Sequence, residues 1–230
     1  MESTEIRRLV ELEDTHWWYR ERRAILRKEL RSLRPGRALD IGAAGGGNTR
    51  VMLAAGWEAT ATDFSEVAVE VARERGIDAV WADARELPFD DASKDLVTAF
   101  DVLEHIEEDD RAAAEIVRVM RPGGTALIAV PCDMRLWSQH DVAVGHVRRY
   151  TRQELVDVIV RAGLVIERVW SWNVLLRPVV AVRRRRSTGS DLEELSPLVN
   201  TGLSMIVAVE RHLPVKSLPG VTLFLRARKP

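Results

Sequence analysis

The chain has 230 residues, with 34 basic against 35 acidic side chains and a formal charge of −1, so it carries no global basic field of the kind that nucleic acid requires. With 46% hydrophobic residues it can bury one full core, and a single domain with an insertion is expected. Its one cysteine, Cys132, excludes an intramolecular disulfide and a cysteine zinc cluster; no apolar run is long enough for a signal core or a membrane span, so a cytoplasmic location is expected.

Residues 1–34 read as helical, with Asp14 or Thr15 able to cap a segment running to Leu33 and Pro35-Gly36 closing it. Trp18, Ile25, Leu26, Leu30 and Leu33 form one apolar stripe. Trp17 and Trp18 are neighbours about 100° apart on a helix, so one is expected to pack inward and the other to cover a cleft. Next, Ala38-Leu-Asp-Ile-Gly42 reads as a buried strand carrying Asp40, which breaks into a turn with glycines at 42, 45, 46 and 47. Asn48 onward reads as a helix whose free N–H groups point back at that turn. Further strands are predicted at 58–63, 78–82, 95–101, 125–130, 164–170 and 221–228, with helices at 65–75, near 108–120 and from Thr151 to Gly163. This alternation predicts a parallel, doubly wound α/β sheet that binds ligands at the carboxyl ends of its strands.

Acids recur at those strand ends: Asp40, Asp63, Asp83 and Asp101. The dinucleotide fingerprint fails, because Ala44 stands where its second glycine belongs. A carboxylate closing the first strand suits a cationic ligand better than a pyrophosphate. Asp63 is placed to accept from two ribose hydroxyls, and Asp83 from an adenine amino group with the Ala84 N–H on a ring nitrogen. S-adenosylmethionine, with a sulfonium, an ammonium and no phosphate, fits this set.

Leu39-Asp-Ile-Gly, Ala61-Thr-Asp63, Ala82-Asp83-Ala-Arg-Glu-Leu-Pro-Phe89, Phe100-Asp-Val-Leu-Glu-His105 and Arg121-Pro-Gly-Gly124 resemble the ordered motifs of class I S-adenosylmethionine-dependent methyltransferases, over roughly residues 15–170 and again at the C-terminus. The resemblance implies a Rossmann-like, mostly parallel seven-stranded sheet with an antiparallel last strand. It places Gly42 at the methionine part of the cofactor, Asp63 at the ribose and Asp83 at the adenine. Gly45, Gly46, Phe64, Asp101 and Val102 are expected in the same site. Ala44 departs from the family, where glycine is usual. His16-Trp-Trp-Tyr-Arg-Glu-Arg-Arg23 resembles a His-Trp-Trp-x-x-x-Arg-Arg segment in a subset of these proteins, and implies a helical lid with Tyr19 or Arg23 on the cofactor carboxylate.

Methyl transfer from a sulfonium needs alignment and, for a hydroxyl acceptor, loss of a proton; no metal is expected. The segment 131–150 holds the candidates. His140 beside Asp141 is a potential base, with His146 its rival; Arg148 and Arg149 could clamp an anionic group. Trp17, Trp18, His105, Trp137 and Tyr150 are expected to line the acceptor. The expected activity is O-methylation of a small molecule that is aromatic, polyketide-like or lipid-linked, with an anionic end. N- or C-methylation and a non-catalytic cofactor-binding scaffold are the alternatives. The expected organisation is a lid at 1–34 and a methyltransferase domain at 35–230, interrupted by a helical insertion at about 173–217. The insertion joins an apolar helix to the Arg183–Arg186 cluster, which offers a lid, a homodimer contact or a weak, salt-sensitive membrane contact.

Overall fold

The computed structural model describes residues 7, 10–184 and 195–230. Helix α1 (Trp17–Leu30) leads into β1 (Arg37–Ile41), α2 (Gly47–Ala54), β2 (Glu58–Asp63), α3 (Glu66–Glu74) and β3 (Ala79–Trp81). The chain then forms β4 (Lys94–Phe100), α4 (Asp109–Val119), β5 (Met120–Pro131), α5 (Gln139–Ala143), α6 (Arg152–Arg161) and β6 (Val165–Trp172). Helices α7 (Arg177–Arg184) and α8 (Pro197–Glu210) precede β7 (Thr222–Arg228). The strands make one sheet in the order β3-β2-β1-β4-β5-β7-β6, and β7 runs antiparallel to both its neighbours. The sheet therefore has the topology expected from the sequence. Its central strands β1, β4 and β5 are largely buried on both faces because helices cover both sides. Edge strand β3 is only three residues long, and edge strand β6 carries exposed Glu167 and Arg168; both features discourage pairing with another sheet.

Local chemistry explains most element ends. Ser65 caps α3 by accepting from the Ala68 N–H at 3.4 Å. Thr151 and Glu154 form a capping box on α6. Helix α1 begins later than the sequence suggests, with His16 Nδ1 accepting from the Trp18 N–H at 3.3 Å. Asp14 is drawn away to Arg50 at 2.6 Å, and the Thr15 hydroxyl bonds to the Leu12 carbonyl at 3.3 Å, so neither is free to cap. Strand β5 begins five residues earlier than predicted, at Met120. Arg121-Pro-Gly-Gly124 ends α4 but continues as strand, because Gly123 and Gly124 pair with Lys229 near the C-terminus. The segment after β5 carries a 3-10 turn at Met134–Leu136 and then α5, where a plain loop was expected.

Two apolar clusters flank the sheet. One joins α4 and α6 to the sheet through Leu39, Val97, Ile116, Ile128 and Leu155. The other gathers aromatic residues under α1: Trp17, Trp170, Trp172 and Phe224, with Trp18 at its edge. Trp18 meets Trp172 at 4.6 Å between ring centroids, and Trp17 meets Trp18 edge-on at 5.6 Å. Trp17 is only 7% exposed, so its expected place on the acceptor is corrected to a core anchor. Its backbone N–H donates to Asn200 Oδ1 at 2.8 Å and Asn200 Nδ2 donates to the Thr15 carbonyl at 2.9 Å, tying the start of α1 to α8.

Ala44 has φ +47°, a left-handed conformation that costs an L side chain about 1–2 kcal/mol. Ala44→Gly is expected to raise the unfolding free energy in a urea titration by about 1 kcal/mol, after the larger unfolded-state entropy of glycine is allowed for. An equal or lower midpoint at the same m-value would show that the turn is not strained there.

Candidate functional site

The strand order reverses between β1 and β4, which opens a crevice at their carboxyl ends. One wall is the turn 42–47 and the other is the β4 tip, Asp101–His105. Gly42 has φ +65°, and a Cβ on it would overlap Val102 Cγ2; glycine is what lets the turn approach the tip. Asp101 also takes a left-handed φ, +57°, at that tip. Asp40 does not face the crevice. Its Oδ2 accepts from the Thr49 hydroxyl at 2.7 Å and its Oδ1 from the Thr98 hydroxyl at 2.6 Å, which fastens α2 and β4 to β1. Burial pushes its carboxyl up to about 6 against those hydrogen bonds. The expectation that Asp40 meets a cationic ligand is thus corrected, since both oxygens are engaged inside the sheet.

On the β2 side, Asp63 Oδ2 accepts from the Ala44 N–H at 2.9 Å and Oδ1 from the Ser65 N–H at 2.8 Å. Burial raises its carboxyl and these amides partly restore it. Each oxygen keeps a second lone pair, which suits a pair of vicinal hydroxyls. Phe64 is 67% exposed and its ring centre lies 5.5 Å from that of Trp81, whose indole N–H donates to the Phe64 carbonyl at 2.7 Å. This tilted pair offers apolar ring surface for a purine at the carboxyl ends of β2 and β3. Trp81 was missed in the sequence because it reads only as a strand residue. Asp83 is held by a fork from Arg85, with Nε to Oδ1 at 3.0 Å and Nη2 to Oδ2 at 2.6 Å. That hydrogen bonding lowers its carboxyl, and any amino group reaching Asp83 beside Ala84 must share it with Arg85. A turn free of Cβ atoms at Gly42, a doubly accepting acid and an aromatic platform fit an adenosyl nucleoside.

The chain before and along α1 covers the turn. Val10 packs on Gly45, while Gly46 faces inward against Ile77. Buried Glu13 lies against Gly47 and pairs with Arg75. Arg23 is engaged by the Glu13 carbonyl and by Asp14 at 3.3 Å. Arg22 is the arginine that reaches the strand tips: it pairs with Asp101 and lies 5.4–5.9 Å from the rings of Trp18, Phe100 and Phe224. The signal was available, because Arg22 is four residues after Trp18 and shares its helix face. Half-buried Tyr19 lies near Asp101, Arg22 and Glu13, with burial raising its hydroxyl. A cleft of about 580 Å³ between α1 and α2, lined by Arg20, Arg27, Arg50 and Arg211, leads to the outer face of α2, away from the strand tips.

On the other side, the segment 131–150 wraps the β4 tip. The Val147 N–H donates to the Glu104 carbonyl at 2.8 Å, and His105 Nδ1 lies 3.2 Å from the Gly145 carbonyl. Asp141 is fully buried. It accepts from Arg149 Nε at 2.8 Å, the Ser138 N–H at 2.9 Å and Arg184 at 3.2 Å, and lies 2.8 Å from His146 Nδ1. Burial acts to raise its carboxyl, but the His146 hydrogen bond, Arg184 and the Ser138 amide outweigh it and hold the group below the usual range. An ionised Asp141 can only accept, so His146 carries its proton on Nδ1 and presents the Nε2 lone pair. The acid oriented by the fold is therefore on His146; His140, its sequence neighbour, sits on α5 with its ring centre 6.3 Å from that of His146.

Three further residues expected at the acceptor serve the loop instead. Arg149 is buried against Asp141 and the Cys132 carbonyl. Tyr150 is buried with its hydroxyl 2.6 Å from Asp109 Oδ2. Arg148 donates to Asp109 and to the Glu107 carbonyl, both at 2.7 Å. Trp18 and Trp137 are half-buried and His105 is exposed, so these keep surface for a ligand.

Because the folded pKa of Asp40 is raised, its contribution favours the fold fully below pH about 4 and is lost as pH rises through about 6. Wild-type protein is expected to lose on the order of 3 kcal/mol from this group across that window. Asp40→Asn is expected to lack this component when urea unfolding is compared at pH 4 and pH 7; identical pH dependence in the two proteins would overturn the assignment.

Residues 39–128 match the family model described as a methyltransferase domain. The chain is 26% identical over 163 residues to a probable S-adenosylmethionine-dependent methyltransferase of Mycobacterium tuberculosis, covering 69% of this chain and 60% of that one. The chain therefore spans about 60% of the length of that relative. It is 39% identical over 97 residues to a demethylmenaquinone methyltransferase of Clavibacter sepedonicus, 40% of each chain. In structure it resembles a Haloferax volcanii protein solved in complex with the methyltransferase activator Trm112, with a TM-score of 0.67 and 18% identity over 99% of this chain and 96% of that one. With the strand order and the crevice residues, the match over residues 39–128 marks a methyltransferase domain, and the chain is similar to S-adenosylmethionine-dependent methyltransferases.

Proposed function

We propose that this chain methylates an oxygen atom of a small-molecule acceptor. The observation that carries the reading is the Asp141–His146 pair beside the β4 tip, a base whose tautomer is fixed by a buried acid. S-adenosylmethionine, when bound in the crevice, supplies a methyl group activated by its sulfonium. Gly42, Asp101 and Val102 frame the methionine part, Asp63 accepts from the ribose hydroxyls, and Phe64, Asp83 and Ala84 hold the adenine with Trp81. Arg22 fixes Asp101, while Tyr19 and Arg23 keep α1 over the turn. His146 Nε2 takes the acceptor hydroxyl proton, and Asp141 stabilises the imidazolium that results; His140 stands beside them.

The acceptor class is read from the apolar surface that α1, the segment after β5 and the insertion leave uncovered. Trp18 and Trp137 suit a bulky aromatic or apolar body. On the insertion, Leu198, Met205 and Val209 of α8 are exposed, Leu198 at 87%, which favours a lipid-linked or polyketide-like acceptor over a small polar one. Similarity to a demethylmenaquinone methyltransferase over part of the chain agrees with an apolar acceptor. In this reading, residues 1–34 and 173–217 form lids on the remainder of the domain. No described helix is long and apolar enough to cross a membrane. A cytoplasmic protein touching a membrane surface weakly, through α7 and Arg183, fits that reading; Arg185, Arg186 and the polar stretch 187–191 lie outside the described residues.

The test is calorimetry with S-adenosylmethionine and S-adenosylhomocysteine, followed by a methyl-transfer screen of hydroxylated apolar acceptors. Asp63→Ala is expected to weaken binding of both nucleotides by more than about 1 kcal/mol, the scale of a charge-assisted hydrogen bond. His146→Ala is expected to lower turnover by about 10²–10⁴ with nucleotide affinity unchanged. Loss of both would mark His146 as structural, and undiminished turnover would move the reading to a nitrogen or carbon acceptor. Nucleotide binding without any turnover would leave a non-catalytic scaffold.

A further inference from the structure

Three side chains at the β4 tip bring their ligand atoms together: Glu104, His105 and His146 lie with one oxygen and two ring nitrogens all within 4.8 Å of one another. Glu104 is the floor, at 0% exposure, and neither of its oxygens has a hydrogen-bond partner among the described residues. A buried carboxylate is costly as an ion and otherwise takes up a proton, so a cation that reaches it competes with that proton. Its acidic neighbours are answered already: Asp101 by Arg22, and Asp141 by Arg149 and Arg184. His146 Nε2 lies 3.9 Å from Glu104 Oε1, and the Arg22 charge also acts on Glu104.

The two histidines are oriented alike. His146 Nδ1 faces the Asp141 carboxylate at 2.8 Å, and His105 Nδ1 faces the Gly145 carbonyl at 3.2 Å. Both partners only accept, so both Nδ1 atoms carry the proton and both Nε2 lone pairs are left for another ligand. A carboxylate or carbonyl behind each imidazole is the support that holds metal-binding histidines.

We propose that Glu104, His105 and His146 form a binding site for a divalent transition-metal ion, with Glu104 and the two Nε2 atoms as ligands and the remaining coordination positions open to the crevice. Two imidazoles and one carboxylate suit zinc, iron or cobalt better than magnesium or calcium. Ligand atoms around such an ion sit about 2.0–2.2 Å from it, so the trio closes by roughly 1 Å on binding. The exposed rim residue, His105, has the room to make that move. The inference rests on the acceptor-site reading for purpose and revises the role of one residue: a cation at this point would hold the acceptor hydroxyl and lower its pKa so that its proton passes to solvent water, with His146 as a ligand in place of the base.

The full chain, freed of metal with EDTA, is titrated with Co²⁺ while the visible ligand-field band and the heat are followed, with Zn²⁺ as competitor. One Co²⁺ per chain is expected, displaced by Zn²⁺. His105→Asn, Glu104→Gln and His146→Asn are each expected to weaken binding at least tenfold while affinity for S-adenosylhomocysteine stays unchanged. His105→Asn is decisive, because an exposed residue can change without unfolding the chain, and thermal unfolding in EDTA verifies this. Wild type that binds S-adenosylhomocysteine but no Co²⁺ overturns the metal site alone. Co²⁺ binding indifferent to His105 also overturns it. Co²⁺ binding that depends on His105 in a chain that binds no S-adenosylhomocysteine upholds the site and refutes the methyl-transfer reading instead.

Discussion

Between β1 and β4 the strand order turns back on itself, and the two crossovers leave in opposite directions, so no helix can close the carboxyl ends there. The rest of the molecule is arranged around that opening. The turn 42–47 must bend sharply to start α2 without filling it, which is why Gly42 faces Val102 and why Asp40 is tied from beneath by Thr49 and Thr98. Asp63 then fastens the same turn from the side through Ala44. A site of this kind depends on hydrogen bonds that hold backbone, and only secondarily on groups that reach for ligand.

The segment after β5 follows a comparable logic with a different centre. Asp141 is buried with four partners from α5, α7 and the loop after it, so one carboxylate fixes a histidine, two arginines and the entry to α5 at once. Removing one partner from such a pair leaves a buried charge without an answer, at about 3–5 kcal/mol. The loop is therefore more rigid than its length and polarity suggest, and its histidines are positioned residues rather than mobile ones.

What could be read in the sequence was whatever local chemistry fixes. Strand-end acids, the glycine turn and the Thr151 capping box involve partners a few residues apart, and the apolar runs between them set the sheet order once the family motifs are recognised. What could not be read depends on long-range burial. Asp40 resembles a ligand-facing acid until the hydroxyl of Thr98, fifty-eight residues away, is found on it. His140 and Asp141 are adjacent in the chain, yet it is His146 that reaches Asp141, after the chain has turned at Gly145. Arg149 and Tyr150 look like surface contacts because their type favours exposure, and only the packing of the loop on Asp109 and Cys132 removes them from the ligand. The same holds for Trp17, whose neighbour Trp18 takes the half-exposed position.

The link through Asn200 has a kinetic consequence. One side chain grips the backbone on both sides of His16, and Glu21 and Arg211 form a second tie between α1 and the end of α8. Whatever lifts α1 from the glycine turn thus drags the insertion with it, and whatever spreads the insertion loosens the cover on the turn. Under the proposed function, entry of the nucleotide and entry of the acceptor would be coupled through this double tie between α1 and α8, and an ordered sequence of binding would follow.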